Sequence, residues 1–170
     1  TYDPARRDGV QHILLDRAAF SLKTIAGHSY NRDGVIQIEV VGFASQTHAY
    51  RDEWYELLAE DVIKPILRAY PSIDISHYPE FKGVNDAYGT KSSTRLSLPA
   101  WVAWNGLLGH QHTPGNSHWD PGMFRAEILA TYATEEDMKP DERQWLKELH
   151  AWHTDVKHPN GWWSLSLIHI

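Results

Sequence analysis

An α/β domain is the fold class this sequence predicts, and three observations predict it. VIQIEVVGF at 35–43 alternates with a period of two, so that Ile36, Ile38 and Val40 share one face and Gln37 and Glu39 the other. From Ala49 to Ala69 the apolar residues Trp54, Leu57, Leu58, Val62, Ile66 and Ala69 recur at helical spacing. A second amphipathic stretch, 141–156, carries Trp145, Leu149 and Trp152. The 170 residues suit one domain, and 42% apolar with 22% charged residues is a globular mixture able to build a core. Sixteen basic against twenty-two acidic residues leave a net charge of −6, with no basic excess to attract phosphate backbones, so no nucleic-acid partner is expected. No run approaches the ~18 apolar residues of a membrane span. The absence of cysteine excludes disulfides and thiolate zinc sites.

Taken in order, residues 1–9 read as a strand end and turn, with Asp8-Gly9 a hairpin signal. Residues 10–15 are a short strand candidate, and 35–43 is the clearest strand in the chain. Pro65 should kink or divide the 49–69 helix, and Pro71 closes it. The 71–99 segment has no clear period and reads as a long loop of the kind found at binding rims. Apolar residues 100–108, with Trp101 and Trp104 expected in the core, lead into GHQHTPGNSHWDPG at 109–122, which is too rich in Gly, Pro and Asn for regular structure. Residues 123–132 predict a short helix. The tail LSLIHI matches the translation of a transposase adapter used in DNA library preparation; the alternative is a genuine terminal strand. Residues 165–170 are therefore expected to be a non-native tail and no part of the fold.

Chemistry concentrates in the 109–122 loop. Three of the eleven histidines, His110, His112 and His118, lie within nine residues and Asp120 follows. Imidazole and carboxylate are the ligands a zinc-like ion takes in a cysteine-free protein. The competing reading is a set of surface histidines in a polar loop. His12, His48, His77, His150, His153 and His158 read as surface or partly packed residues.

Gly109-His110 followed by Asp120-Pro121-Gly122 resembles the metal-binding signature of the type 2 N-acetylmuramoyl-L-alanine amidases, which include phage endolysins and peptidoglycan recognition proteins. Asn31 followed by IQIEVVGF resembles that family's strand carrying a Glu beside the zinc, and QHILLDRAAFSL at 11–22 is similar to the segment before it in phage members. The likeness covers roughly residues 1–130. It implies a central mixed sheet flanked by helices, with His110 and Asp120 as zinc ligands and Glu39 as general base for the attacking water. His118 stands where many relatives carry a Lys that stabilises the oxyanion. A histidine there would make activity more pH-sensitive. His28 and Asn31 are implied near the substrate; His112 has no ligand role at its position in the family and is expected either to support the ligands or to face the substrate, and Trp119 is a candidate aromatic wall for a sugar or peptide stem.

The family's first zinc ligand, a His on an upstream strand, has no counterpart before residue 12, and His12 falls on the wrong element. Two alternatives stand: the chain lacks its first strand, or another side chain, His28 or His112, has taken over. The expectations are an amidase domain over 1–133 and a helix or linker over 134–163. The expected activity is zinc-dependent hydrolysis of the bond between N-acetylmuramic acid and L-alanine, performed by a monomer on bacterial peptidoglycan. Such a phage endolysin would be made in the host cytoplasm, or secreted, and would act on the cell wall; no signal peptide is visible. The alternative is a non-catalytic muropeptide-binding domain with an incomplete zinc site.

Overall fold

The computed structural model describes residues 1–15, 17, 35–134 and 164–167. β1 (Tyr2–Asp3) pairs antiparallel with β2 (Asp8–Gly9) in the register Tyr2↔Gly9 and Asp3↔Asp8. The turn falls at residues 4–7 rather than at Asp8-Gly9. Asp3 closes it by accepting the backbone N–H of Ala5 at 3.0 Å and of Arg6 at 3.3 Å, and Arg7 takes a φ of 50°. Residues 10–15 are not the expected strand. Val10 adds one rung by exchanging backbone bonds with Thr1, and Val10, Ile13 and Leu14 are exposed.

β3 (Val35–Ile38) is an outer strand of a parallel sheet in the order β3-β5-β4, with β4 at Leu107–Gly109 and β5 at Ser164–Leu167. β3 is shorter than the alternating run. Past Glu39 the chain makes a parallel bridge from Val40 to Tyr2, then leaves Val41 and Phe43 exposed. Ile36, Ile38 and Leu107 face the main core with Tyr55, Leu58, Ile63 and Leu129, whereas Val35 and Leu108 pack on the other face with Trp101. Val35, Ile36 and Ile38 are therefore buried on the two faces of the sheet, while Gln37 is half-buried. The coarse α/β expectation therefore holds, with strands of both senses and helices on two sides of the sheet. The segment Ser164–Leu167, mostly within the tail that matches an adapter translation, is the middle strand of this sheet. Pairing locates its backbone and says nothing of its origin.

α1 (Asp52–Leu58) and α2 (Lys64–Ala69) fill the expected helical run, separated by a π-helical turn at Ala59–Ile63. Pro65 has no N–H to donate and its ring crowds the preceding turn, so a widened turn just before it relieves both problems. The expected division is real and takes this form. Within the segment expected as loop, α3 (Val84–Ala87) forms one turn and α4 (Leu98–Ala103) begins. The Ser97 hydroxyl caps α4 by accepting the Ala100 N–H at 3.3 Å, and Pro99 pre-sets its first turn. Trp101 is buried as expected; Trp104 is partly buried and stacks on His77 with ring centroids 4.0 Å apart. α5 (Ala126–Thr134) starts three residues later than predicted and packs on α1 and the π turn. The helix expected over 141–156 lies outside the described residues.

Candidate metal centre

β4 is fully buried and delivers the chain to His110, where a 3₁₀ turn, His110–His112, begins. The strand end and the Asp120-Pro121-Gly122 segment pack closely. A Cβ on Gly109 would run into Pro121 and Phe81. Gly122 has φ 75° and lies against the Ala44 carbonyl, where any Cβ would clash. Thr47, wholly buried, donates to the Pro121 carbonyl at 2.8 Å and so ties this turn to the 44–49 segment. The Asp120–Pro121 peptide is cis.

The two arms of the loop are joined by a residue the sequence reading passed over. Gln111 is 0% exposed, and its backbone N–H donates to the Asp120 carbonyl at 3.0 Å. Its side-chain oxygen accepts the Lys82 N–H at 2.9 Å. Its Nε2 donates to the carbonyls of Lys82, Trp119 and Gly122 at 3.2, 3.1 and 2.9 Å. A buried amide with every partner satisfied holds residues 119–122 against the strand end. Its partners are backbone groups, so residue type alone carried no signal of this role.

On this frame His110, His118 and Asp120 converge: one donor atom from each lies within 4.8 Å of the others. His110 Nδ1 stands 3.0 Å from Asp120 Oδ2, and His118 Nδ1 stands 3.5 Å from Asp120 Oδ1. Ligands at about 2.0–2.1 Å around a tetrahedral ion sit roughly 3.3 Å apart, and these two approaches, made to different oxygens of Asp120, are of that order. The two imidazole rings lie 4.7 Å apart between centroids. His110 and Asp120 are buried while the His118 side chain is 53% exposed, so solvent reaches the group from the His118 side. The Asn116 side chain accepts the His118 N–H at 2.9 Å and fixes that end of the loop. Two nitrogens and a carboxylate form a donor set that could hold a divalent cation. His118, part of the ligand-type cluster in the sequence but given an oxyanion role by the resemblance, is the third member of the group.

The other predicted residues are distributed differently. His112 is neither a substitute ligand nor substrate-facing, because it is fully buried and both ring nitrogens are used. The Gly109 N–H donates to its Nδ1 at 2.9 Å, so the proton sits on Nε2 and is donated to the Glu80 carbonyl at 3.1 Å. Phe81 meets the ring edge-on at 4.7 Å. Burial, the largest cause, holds the His112 pKa down at about 4. A His whose folded pKa lies below its unfolded value contributes stability that is complete above about pH 6.5. That stability is lost as pH falls toward 4, for a total on the order of 3 kcal/mol. In metal-free protein the His112 ring resonances should remain those of the neutral Nε2–H form down to about pH 5. Titration near pH 6.5 would refute the assignment.

Glu39 lies outside the three-residue group. It lines a pocket of about 260 Å³ with Thr1, His12, Leu14, Arg17 and Gln37 among others, and accepts a hydrogen bond from the Thr1 hydroxyl at 3.4 Å. Trp119 is partly exposed beside Asp120, and its carbonyl is held by Gln111. His28 and Asn31 lie outside the described residues. Among the described residues no helix is long and apolar enough to cross a membrane. No family model, curated protein or solved structure matches this chain.

Proposed function

We propose that the chain is a zinc-dependent peptidoglycan amidase, of the endolysin type, that hydrolyses the amide between N-acetylmuramic acid and the L-alanine of the stem peptide. The observation that carries this reading is the convergence of His110, His118 and Asp120 at the carboxyl end of a parallel strand, within the Gly-His and Asp-Pro-Gly frame. Crevices at the carboxyl ends of parallel strands are the usual ligand sites of open α/β sheets. The amidase-type arrangement of the sheet belongs to the same proposal.

The sheet register bears on the second half of the chemistry. Ile38, Leu167 and Gly109 share one row across β3, β5 and β4. Glu39 and His110 are therefore the next residues on two strands separated by one, about 10 Å apart at the backbone. That span suits a water and a substrate carbonyl between their side chains. A zinc ion held by His110, His118 and Asp120 would supply Lewis acidity toward the carbonyl and the water. Glu39 is the carboxylate assigned to take the proton of the attacking water and pass it to the leaving L-alanine amine. Half-exposed His118 keeps the group open to a polymer too large to enter a closed cavity.

Product analysis tests the reaction. Zinc-loaded protein incubated with purified peptidoglycan should release stem peptides with new L-alanine amino termini and leave free lactyl carboxyl groups on the glycan. New amino termini within the stem would make it a zinc peptidase instead. Muropeptide binding without release would favour a recognition domain.

A further inference from the structure

We infer that Arg95 is the positioning residue of the metal loop, its guanidinium spanning the carbonyls of both metal-binding histidines. The inference rests on reading His110, His118 and Asp120 as a metal site. Residues 94–96 lie against 110–112 and between them take all three carbonyls. The Thr94 hydroxyl donates to Gln111 at 2.8 Å, the Arg95 Nη1 to His110 at 3.3 Å, and the Leu96 N–H to His112 at 3.0 Å. Of these three residues, Arg95 alone is bonded across to the far arm of the loop, where Nη2 donates to the His118 carbonyl at 2.5 Å. The same side chain donates through Nη2 to Ala87 at 2.9 Å and through Nε to Gly89 at 3.2 Å, which anchors the clamp to the end of α3.

Three edges of one planar cation thus fix four carbonyls. Seven residues separate His110 from His118, and without a cross-tie that stretch can widen and carry the two imidazoles apart. A guanidinium has the rigid fork this task needs, and an ammonium does not. Charge and geometry here act in opposite directions on a metal. A fixed cation beside the site repels a divalent ion, so an electrostatic role alone would make its removal tighten binding. A positioning role makes removal weaken it.

That opposition sets the test. Cobalt(II) binding is followed by visible absorption, with zinc competition, in the wild type, Arg95→Lys and Arg95→Ala. Lysine keeps the charge and loses the fork; alanine loses both. Both should bind about 10–100-fold more weakly, as expected for a residue supporting the ligands, with altered cobalt bands. Millimolar guanidinium should restore part of the affinity of Arg95→Ala. Wild-type affinity and spectrum in Arg95→Lys, or tighter binding in Arg95→Ala, would overturn the inference while leaving the metal site intact. A wild-type chain that takes neither cobalt nor zinc sinks the metal site itself and the role of Arg95 with it. Should both variants fail to fold, the wild type still decides. Its Arg95 Nε–H resonance should exchange slowly and shift with one equivalent of zinc, and a fast-exchanging, unmoved signal refutes the role.

Discussion

Replacing His110 by alanine should lower zinc affinity by about 10²–10³. Apparent zinc-binding energies of about 10–16 kcal/mol shared among four ligands put roughly 2.5–4 kcal/mol on each. His110 is the buried imidazole of the group, 3.0 Å from a buried carboxylate, so no water can replace it at comparable strength. Peptidoglycan turnover should fall with the metal. The informative companion is His118→Ala, because the two roles open to His118 predict different outcomes. As an oxyanion donor it would leave zinc affinity intact and lose turnover alone. As the third ligand, the role its 3.5 Å approach to Asp120 supports, it loses zinc affinity on the scale of His110→Ala. The His118 side chain is half-exposed, so its removal should leave the stability of the metal-free protein within about 0.5 kcal/mol, and urea unfolding in chelator checks that. Zinc titrations in which both variants bind like the wild type would remove the metal centre.

How much of this was legible in the sequence depends on where each residue's partners lie. The two ends of the 109–122 loop announce themselves because ligand-type side chains and their Gly and Pro neighbours are local. Gly109 and Gly122 fit that reading, since each sits where a Cβ would collide with another part of the chain. The alternating run at 35–43 gave the strand but not its end, because Val41 and Phe43 are apolar yet exposed. Asp8-Gly9 carried a turn signature that lost to the Asp3 side chain, which makes the turn four residues earlier. His112 looked like its neighbours His110 and His118, and only tertiary packing against Glu80 and Phe81 separates a buried structural ring from a ligand. Gln111 and Arg95 were invisible for a related reason. Their partners are main-chain groups from distant or looped segments, and backbone groups leave no trace in residue type.

Glu39→Gln separates catalysis from binding. The substitution keeps the shape and leaves one carbonyl oxygen to accept the Thr1 hydroxyl, so the pocket around Thr1, His12 and Arg17 should persist. Glu39 makes no part of the three-residue group, and zinc affinity should therefore stay within about twofold of wild type. What glutamine cannot do is accept a proton from water. General-base catalysis contributes about 10²–10⁴ to rate, and turnover of peptidoglycan should fall by that factor at saturating zinc. The loss should appear in kcat rather than in KM, because the removed interaction acts on the proton in the transition state and not on the bound polymer. The sheet gives the reason to expect this at 39 rather than at Gln37 or Glu80. Residue 39 directly follows the row that ends at Gly109 on β4, so the carboxylate and His110 leave the same edge of the sheet at the same level. A Glu39→Gln protein that retains zinc and cleaves within a few-fold of wild type would take the general-base role away from this strand. Zinc lost together with activity would instead make Glu39 part of the coordination, a role its place outside the group argues against.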